Sequence, residues 1–333
     1  MEGLEMSFWK NRSVLVTGAT GLVGSWLVRD LLDKGAHVTA LVIDTDPNSE
    51  LIRSGDINRI SVINGDLRHY KDVARAIFTN ACTDIFHLGA QTIVGTALID
   101  PISTFESNIQ GTWNIMEAAR QSQGSVKSVV VASSDKAYGS SETLPYLENF
   151  PLHGDGPYDV SKSCTDLIAQ SYGSTYGIPV TVARCGNIYG GGDLNWSRII
   201  PGSIRDLITE KRPILRSDGT FVRDYVHVDD IVSAYLKLSE VSQTKDINGE
   251  AFNFSRDEPL SVLDLYKSIS IAAVGKFVNP EIQNTATSEI KDQHLNSSKA
   301  KTVLGWESNV TLEDGLKKTI SWYKSYLAGK LHG

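Results

Sequence analysis

The sequence predicts an α/β fold, a doubly wound parallel sheet with a smaller C-terminal α/β domain. Three observations predict it. Short apolar strand signals alternate with amphipathic helix signals as far as Arg184. Gly18, Gly21 and Gly24 sit at the first strand-to-helix junction. The rhythm then breaks into Gly190-Gly191-Gly192, Pro201 and Pro213. Alternation of this kind marks βαβ units, whose crossover helices make the strands parallel.

Residues 14–17 and 38–43 read as short buried strands, with a helix over 22–34 stopped by Gly35. Strands at 60–64, 85–88, 126–132 and 180–184 continue the series, with helices at 70–79, 101–121 and 158–176. Residues 1–184 would form the first domain and 185–333 mainly the second, the chain re-entering the first at about 225–255. Neither an internal repeat nor a low-complexity tract interrupts this pattern.

The chain has 333 residues, 41% of them hydrophobic, which suits one large or two smaller cores. Its net charge is -7 and its basic residues are scattered, so a nucleic-acid partner is not expected. Cys82, Cys164 and Cys185 are odd in number and lack C-x-x-C spacing. Neither a disulfide framework nor a metal site is indicated, and a cytoplasmic location is expected. Residues 1–10 carry Glu2 and Glu5 and no apolar h-region, and no stretch reaches the roughly 18 apolar residues of a membrane span. Export and anchoring are not expected.

The glycines have the spacing G-x-x-G-x-x-G. Placed between strand and helix, they let backbone N–H groups around Thr20, Gly21, Leu22 and Val23 meet a phosphate at a helix N-terminus. A tight turn without ligand is the alternative. Asp44 lies about 20 residues past Gly24, where a carboxylate accepts from an adenosine ribose. No Arg or Lys stands between Asp44 and Glu50, which favours NAD over NADP, although Arg53 is near. Asp66, in Gly65-Asp66-Leu67, reads either as a contact to the adenine amino group or as a strand-terminal cap.

Tyr158 and Lys162 lie at i and i+4 on one helix face. A free tyrosine, with a pKa near ~10, is a poor base at neutral pH. An ammonium about 4 Å away at an effective dielectric near ~20 favours phenolate by roughly 4 kcal/mol, or about three pKa units, less desolvation. A surface pair is the bland alternative. Ser133-Ser134-Asp135-Lys136 follows the strand at 129–132, at the sheet edge where ligands meet catalytic groups. Ser134 can hydrogen-bond a substrate hydroxyl, while Asp135 and Lys136 add an acid and a base that hydride transfer alone does not need. The alternative is a solvent-facing pair. Asn187, Arg198, Arg216 and Arg223 could meet a diphosphate and its nucleotide, because guanidinium groups bind phosphate oxygens in bidentate fashion. His87 reads as a packed histidine, and His227 stays undecided.

Gly18, Gly21 and Gly24, His87-Leu88-Gly89-Ala90-Gln91, Asn108 with Gly111-Thr112, Ser134, and Tyr158 with Lys162 resemble the extended short-chain dehydrogenase/reductases, the Rossmann-domain nucleotide-sugar epimerases and dehydratases. Asp135-Lys136 after the serine is similar to the 4,6-dehydratases, and to the CDP-glucose 4,6-dehydratases most of all. Residues 8–10, 24–27, 186–193 and 198–201 point the same way. Gly89 and Gly95-Thr96 depart from that branch, and residues 223–230 have the general epimerase/dehydratase form.

The resemblance implies NAD, held also by Leu67, Leu88, Ala90, Tyr158 and Lys162, and a nucleotide-diphosphate sugar contacted by Gln91 and Asn108 as well. It further implies a homodimer paired through the helices at 101–121 and 158–176. In the implied reaction Tyr158, helped by Ser134, takes the C4 hydroxyl proton, Lys136 removes the C5 proton and Asp135 protonates the departing C6 hydroxyl. Asp135 must be protonated when Lys136 is neutral, so the two titrate as a pair. A 4-epimerase, which would not need Asp135 or Lys136, is the second reading. A net oxidoreductase or an NAD sensor is the third.

Overall fold

The structure is a computed structural model that describes residues 7–285 and 290–331; Glu2 and Glu5 lie outside the described residues. Seven strands form one parallel sheet: β1 (Ser13–Thr17), β2 (His37–Val42), β3 (Ser61–Asn64), β4 (Asp84–His87), β5 (Ser128–Ala132), β6 (Val180–Cys185) and a last strand, Ala251–Phe254. Their order is β3-β2-β1-β4-β5-β6 and then 251–254. The winding reverses between β1 and β4, and the crevice beyond their carboxyl ends is where such sheets bind ligands.

Side chains along each strand alternate between two cores. Val14, Val16, Val38, Ala40, Phe86 and Val130 face helix α1 (Leu22–Asp33) and the helix Val228–Ser242. Leu15, Leu41, Ile85, Val129 and Val131 face the helices Tyr70–Thr79, Gly111–Gln121 and Pro157–Tyr176. Burial on both faces explains why the strands read as continuous apolar runs. Each such side chain contributes roughly 1.5–3 kcal/mol, so a charge at Val16, which is 0% exposed, would break the sheet at its centre.

The helix expected over 101–121 is divided. Pro101–Phe105 and Gly111–Gln121 flank a π-helical turn, Glu106–Gln110. The wider turn adds a residue to the inner wall, and Asn108 is buried there, 1% exposed. The helix Pro157–Tyr176 starts with proline in its first turn and stops at Gly177, which takes a left-handed φ of 64°.

A third core gathers Tyr189, Ile204, Leu265, Leu316 and Tyr323 from the helices Ile199–Ile208, Val262–Val274 and Leu312–Leu331 and the strand Asn187–Tyr189. That lobe is strapped to the sheet beside the glycine loop. Glu50 accepts from Trp322 Nε1 at 2.9 Å and Arg29 Nη2 at 3.0 Å, and Trp26 Nε1 donates to the Gly191 carbonyl at 2.7 Å.

Candidate active site

The glycine loop has no room for side chains. A Cβ on Gly24 would stand 2.1 Å from the Gly18 carbonyl oxygen, and Gly18, at φ +69°, would bring one 2.8 Å from Gly89 N. Gly21 N donates to Gly18 O at 3.0 Å, and Ser25 Oγ donates to the Gly21 carbonyl at 2.8 Å, which sets the loop against α1. Gly21 caps α1 without a side-chain hydrogen bond, and the first turn carries no acid. The N–H groups of that turn, at the positive end of the helix dipole, suit a pyrophosphate.

Asp44 is exposed two residues past the end of β2. The Arg53 guanidinium lies over the Tyr326 ring at 4.6 Å and beside Glu50 at 3.9 Å. The basic residue that could have served a 2′-phosphate is thus engaged with the last helix. Asp66 is taken up by Arg68, accepting from its Nη2 at 2.6 Å and its backbone N at 2.9 Å, the geometry of a cap. The Leu67 carbonyl accepts from Asn114 Nδ2 at 2.7 Å.

At the end of β4 the backbone N–H groups of Leu88 and Gly89 donate to Thr17 Oγ1 at 3.1 and 3.0 Å. Thr17 Oγ1 pairs with His87 Nδ1 at 2.9 Å, His87 Nε2 with Thr112 Oγ1 at 3.1 Å, and Thr112 donates to the Asn108 carbonyl at 2.6 Å. That chain places the ring proton on Nε2. Burial, with the charge of Lys162, lowers His87 to about 3, so the ring is neutral and structural. A Cβ on Gly89 would meet Leu67 Cδ1 at 2.5 Å. Ala90, half-buried, leads into Gln91.

Gln91 and Asn108, expected beside the substrate, are hydrogen-bonded to the scaffold. Asn108 spends its amide on the scaffold: Oδ1 accepts from Gln91 N at 2.7 Å, and Nδ2 donates to Gln91 O at 2.9 Å and Ser161 Oγ at 2.8 Å. It clamps the 88–91 loop to the Tyr158 helix. The Gln91 amide folds onto its own loop, with Nε2 donating to Thr104 Oγ1 at 3.1 Å and Oε1 accepting from Ile93 N at 2.5 Å.

After β5 the chain enters a single 3₁₀ turn, Asp135–Tyr138, capped by Ser134 Oγ, which accepts from Lys136 N at 3.2 Å. Ser134 Oγ donates in turn to Asp135 Oδ1 at 3.0 Å, while Asp135 Oδ2 is buried with no partner among the described residues. Asp135 is 2% exposed, so the solvent-facing alternative does not hold for it. Lys136 Nζ donates to Gln293 Oε1, and Gln293 Nε2 donates to the Asp135 carbonyl at 3.0 Å. Gln293 comes from the distant strand Asp292–Gln293 and carries no local sequence signal.

Lys162 Nζ donates to the Ala132 carbonyl at 2.8 Å, and burial lowers the amine to about 8. A buried ammonium takes the nearest carbonyl, here at the end of β5. Burial raises the Tyr158 phenol well above its ordinary range, and Arg198 and Ser134 oppose that rise. Arg198, at the start of the helix Ile199–Ile208, is held to Asp193 Oδ2 at 3.0 Å. Beside Tyr158, burial raises Asp159 to about 6, with Lys136 opposing and Asp135 adding to the rise. Burial likewise raises Asp224 to about 7; its Oδ2 accepts from Leu295 N at 2.5 Å and its Oδ1 is unpartnered among the described residues.

Asn187 has a buried Nδ2 without a partner among the described residues, which suits a polar ligand group. Arg216 is exposed, its Nη2 donating to the Ser197 carbonyl at 2.9 Å. Arg223 is buried, and its guanidinium donates to the carbonyls of Val222 and Lys291, each at 2.8 Å, and of Ile290. His227 caps the helix Val228–Ser242, accepting from Asp229 N at 3.2 Å.

The chain as a whole is similar to known proteins. A family model described as GDP-mannose 4,6 dehydratase matches residues 15–319. The chain is 29% identical to the CDP-glucose 4,6-dehydratase of Salmonella typhimurium, over 98% of this chain and 94% of that one. Among solved structures, a dTDP-glucose 4,6-dehydratase double mutant from Streptomyces venezuelae with NAD bound superposes with a TM-score of 0.83 at 27% identity, covering 95% of this chain and 98% of the other. A UDP-glucose 4-epimerase from Thermotoga maritima reaches 0.84 at 26% identity, over 95% and 99%. With a switch-point glycine cradle, a buried Ser-Asp-Lys segment and a Tyr-x-x-x-Lys helix on one scaffold, and a family match running almost end to end, the chain belongs to the GDP-mannose 4,6 dehydratase family of extended short-chain dehydrogenase/reductases.

Proposed function

We propose that this chain is an NAD-dependent nucleotide-sugar 4,6-dehydratase, a lyase that converts an NDP-hexose resembling CDP-glucose to the 4-keto-6-deoxy sugar. One observation carries the reading. Asp135 and Lys136 are held in a hydrogen-bonded turn beside Ser134, with a buried carboxylate oxygen unpartnered among the described residues. Interconverting epimers at C4 requires no such acid.

The loop of Gly18, Thr20, Gly21, Leu22, Val23 and Gly24 would hold the pyrophosphate of NAD, Asp44 the adenosine ribose, Asp66 and Leu67 the adenine side, and Leu88, Ala90, Tyr158 and Lys162 the nicotinamide half. When bound, NAD would supply the hydride acceptor for C4 and, once reduced, the hydride donor for C6. Tyr158 accepts the C4 hydroxyl proton, with Ser134 and Arg198 favouring phenolate. The resulting ketone acidifies C5. Lys136 takes the C5 proton, and Asp135, through its unpartnered oxygen, protonates the C6 hydroxyl as it leaves as water. Asn187, Arg198, Arg216 and Arg223 are the proposed nucleotide and diphosphate contacts. Residues 1–184 with about 225–255 form the proposed dinucleotide domain, and 185–333 mainly the sugar-nucleotide domain.

A homodimer is part of the reading. Leu98, Ile99, Ile102, Trp113 and Leu167 are exposed on the helices at 94–121 and 157–176, Ile99 to 88%, a face that pairing with a second copy would cover. Three free cysteines suit a reducing cytoplasm. No helix among the described residues is long and apolar enough to cross a membrane.

The test is a panel of CDP-, UDP-, GDP- and dTDP-hexoses, read by mass spectrometry for loss of one water and by absorbance of the 4-keto product in alkali. Products isomeric with the substrate would instead establish the 4-epimerase reading, which the likeness to the Thermotoga maritima epimerase keeps in play. Retained turnover after replacing both Asp135 and Lys136 would do the same.

A further inference from the structure

We propose that Asp224 is a positioning residue for the water-eliminating step, because it anchors the segment that holds the Lys136 amine. The inference rests on the dehydratase reading above and deepens it.

The turn Asp135–Tyr138 leans on residues 292–296 through two side chains. Lys136 Nζ donates to Gln293 Oε1, and Gln293 Nε2 donates to the Asp135 carbonyl at 3.0 Å. Two residues on, where an extended chain presents the same face again, Leu295 packs in a small core with Tyr138 and Tyr146. Gln293 and Leu295 are 0% and 1% exposed, so these contacts are made away from solvent. The amine follows this segment wherever it lies.

The segment in turn needs an anchor. Asp292 and Gln293 pair with Val222 and Arg223 for two residues, a very short ladder. Beyond it Tyr146 N donates to the His294 carbonyl at 2.9 Å, and Asn296 N donates to the Tyr146 carbonyl at 3.0 Å. The Leu295 N–H has a side chain as its acceptor instead, Asp224 Oδ2 at 2.5 Å. Asp224 is itself fixed. It is 0% exposed, its carbonyl accepts from Asn187 N at 3.0 Å, and a Cβ added to Gly186 would stand 2.9 Å from its Cβ. Its Oδ1 is unpartnered among the described residues, so the bond to Leu295 is the one a substitution removes. A buried N–H that loses its acceptor moves to find another, and here it takes Gln293 with it.

The hydride step is anchored elsewhere. Asn108 Nδ2 donates to Ser161 Oγ at 2.8 Å and Lys162 Nζ to the Ala132 carbonyl at 2.8 Å, which fixes the Tyr158 helix without residues 292–296. Ser163 Oγ holds the rear of the turn through the Ala137 carbonyl at 2.8 Å. Loss of the Asp224 anchor therefore displaces the amine and leaves the phenol where it is.

The experiment is a single turnover of the NAD-loaded enzyme with CDP-glucose, or with the member of the hexose panel that wild type dehydrates. A stall after C4 oxidation leaves reduced nicotinamide, seen by its near-ultraviolet absorbance, and a 4-keto hexose lighter than substrate by two hydrogens; the finished product is lighter by one water. Asp224→Ala should slow elimination about 10–100-fold and hold C4 oxidation within about threefold of wild type, so that both species build up. Asp224→Asn, which keeps an acceptor for the Leu295 N–H, should rescue elimination. In the NAD-free protein, amide hydrogen exchange over residues 292–296 should quicken in Asp224→Ala and return to the wild-type rate in Asp224→Asn. Equal slowing of both steps in Asp224→Ala, or the same build-up in Asp224→Asn, overturns the assignment. If Asp224→Ala does not fold, Gln293→Leu must show the build-up and the wild-type Leu295 amide must exchange as slowly as those of β5; failure of either overturns it, and both together support it. A wild-type product isomeric with its substrate sinks the dehydratase reading itself; a dehydrated wild-type product with no build-up in Asp224→Ala sinks only the role of Asp224.

Discussion

Replacing Gly24 by alanine tests the cradle at its tightest point. The new methyl would sit 2.1 Å from the Gly18 carbonyl oxygen and 2.8 Å from the Ala19 Cα, both backbone atoms that cannot rotate aside. Ordinary contact begins near 3.4 Å, so the first turn of α1 must retreat by about 1.3 Å from the loop. Overpacking of this kind costs about 1–3 kcal/mol of stability. A shift of that size stretches the N–H contacts to a pyrophosphate out of hydrogen-bond range. Losing two charged hydrogen bonds at about 1.5 kcal/mol each weakens NAD binding on the order of 100-fold. Calorimetric titration of NAD into the stripped protein and thermal melting read the two effects separately. Gly95→Ala is the control, because a Cβ there meets nothing within 4 Å. It should leave both unchanged or raise the melting temperature slightly. If Gly24→Ala binds NAD as tightly as wild type, the cradle is not where the dinucleotide sits.

Lys162→Met should flatten a pH dependence. Burial brings Lys162 to about 8 from 10.5, so between those values the unfolded chain binds more protons and the stability of the NAD-free protein rises with pH through the window. The buried charge costs on the order of 3 kcal/mol at neutral pH, and urea denaturation at pH 7 and 10 should show that rise in wild type and lose it in the variant. Gln293→Leu, which unties Lys136 and the Asp135 carbonyl, should lower kcat by about 10–100-fold with little change in KM, since it misplaces the base without touching substrate. Equal loss in both parameters would argue against that role. Ile102→Glu should convert dimer to monomer in light scattering at micromolar concentration, as Ile102 is 69% exposed on the proposed pairing face; an unchanged mass would remove that face from the interface.

Local pattern carried the parts of the molecule that local physics decides. The inner strands are legible because both faces of each are buried, leaving an apolar run with glycine or proline punctuation, whereas the edge strand β3 is largely exposed. The cradle is legible because backbone contacts at Gly18 and Gly24 exclude every other residue. The π turn at 106–110 is not legible, since its apolar periodicity passes unbroken into the flanking helices. The pairing of Asn108 with Gln91 is not legible, because residue type reveals a hydrogen-bonding capacity and not its direction. Lys162 has the spacing to meet Tyr158, but spacing on a helix cannot say that its amine donates to the Ala132 carbonyl. Arg198 and Gln293 reach the site from other parts of the fold, and only the folded chain brings them there.

The strand Ala251–Phe254 pairs in register with β6 and completes the sheet from far along the chain. During synthesis β6 is therefore made well before its outer neighbour, and residues 186–250 must first leave the ribosome. Until then β6 presents a bare row of backbone donors and acceptors, the kind of surface that recruits strands from other molecules. A fragment stopped at residue 184 would keep that opening permanently. The nascent enzyme passes through the same exposed form, and shielding that one edge is the service it would need from a chaperone.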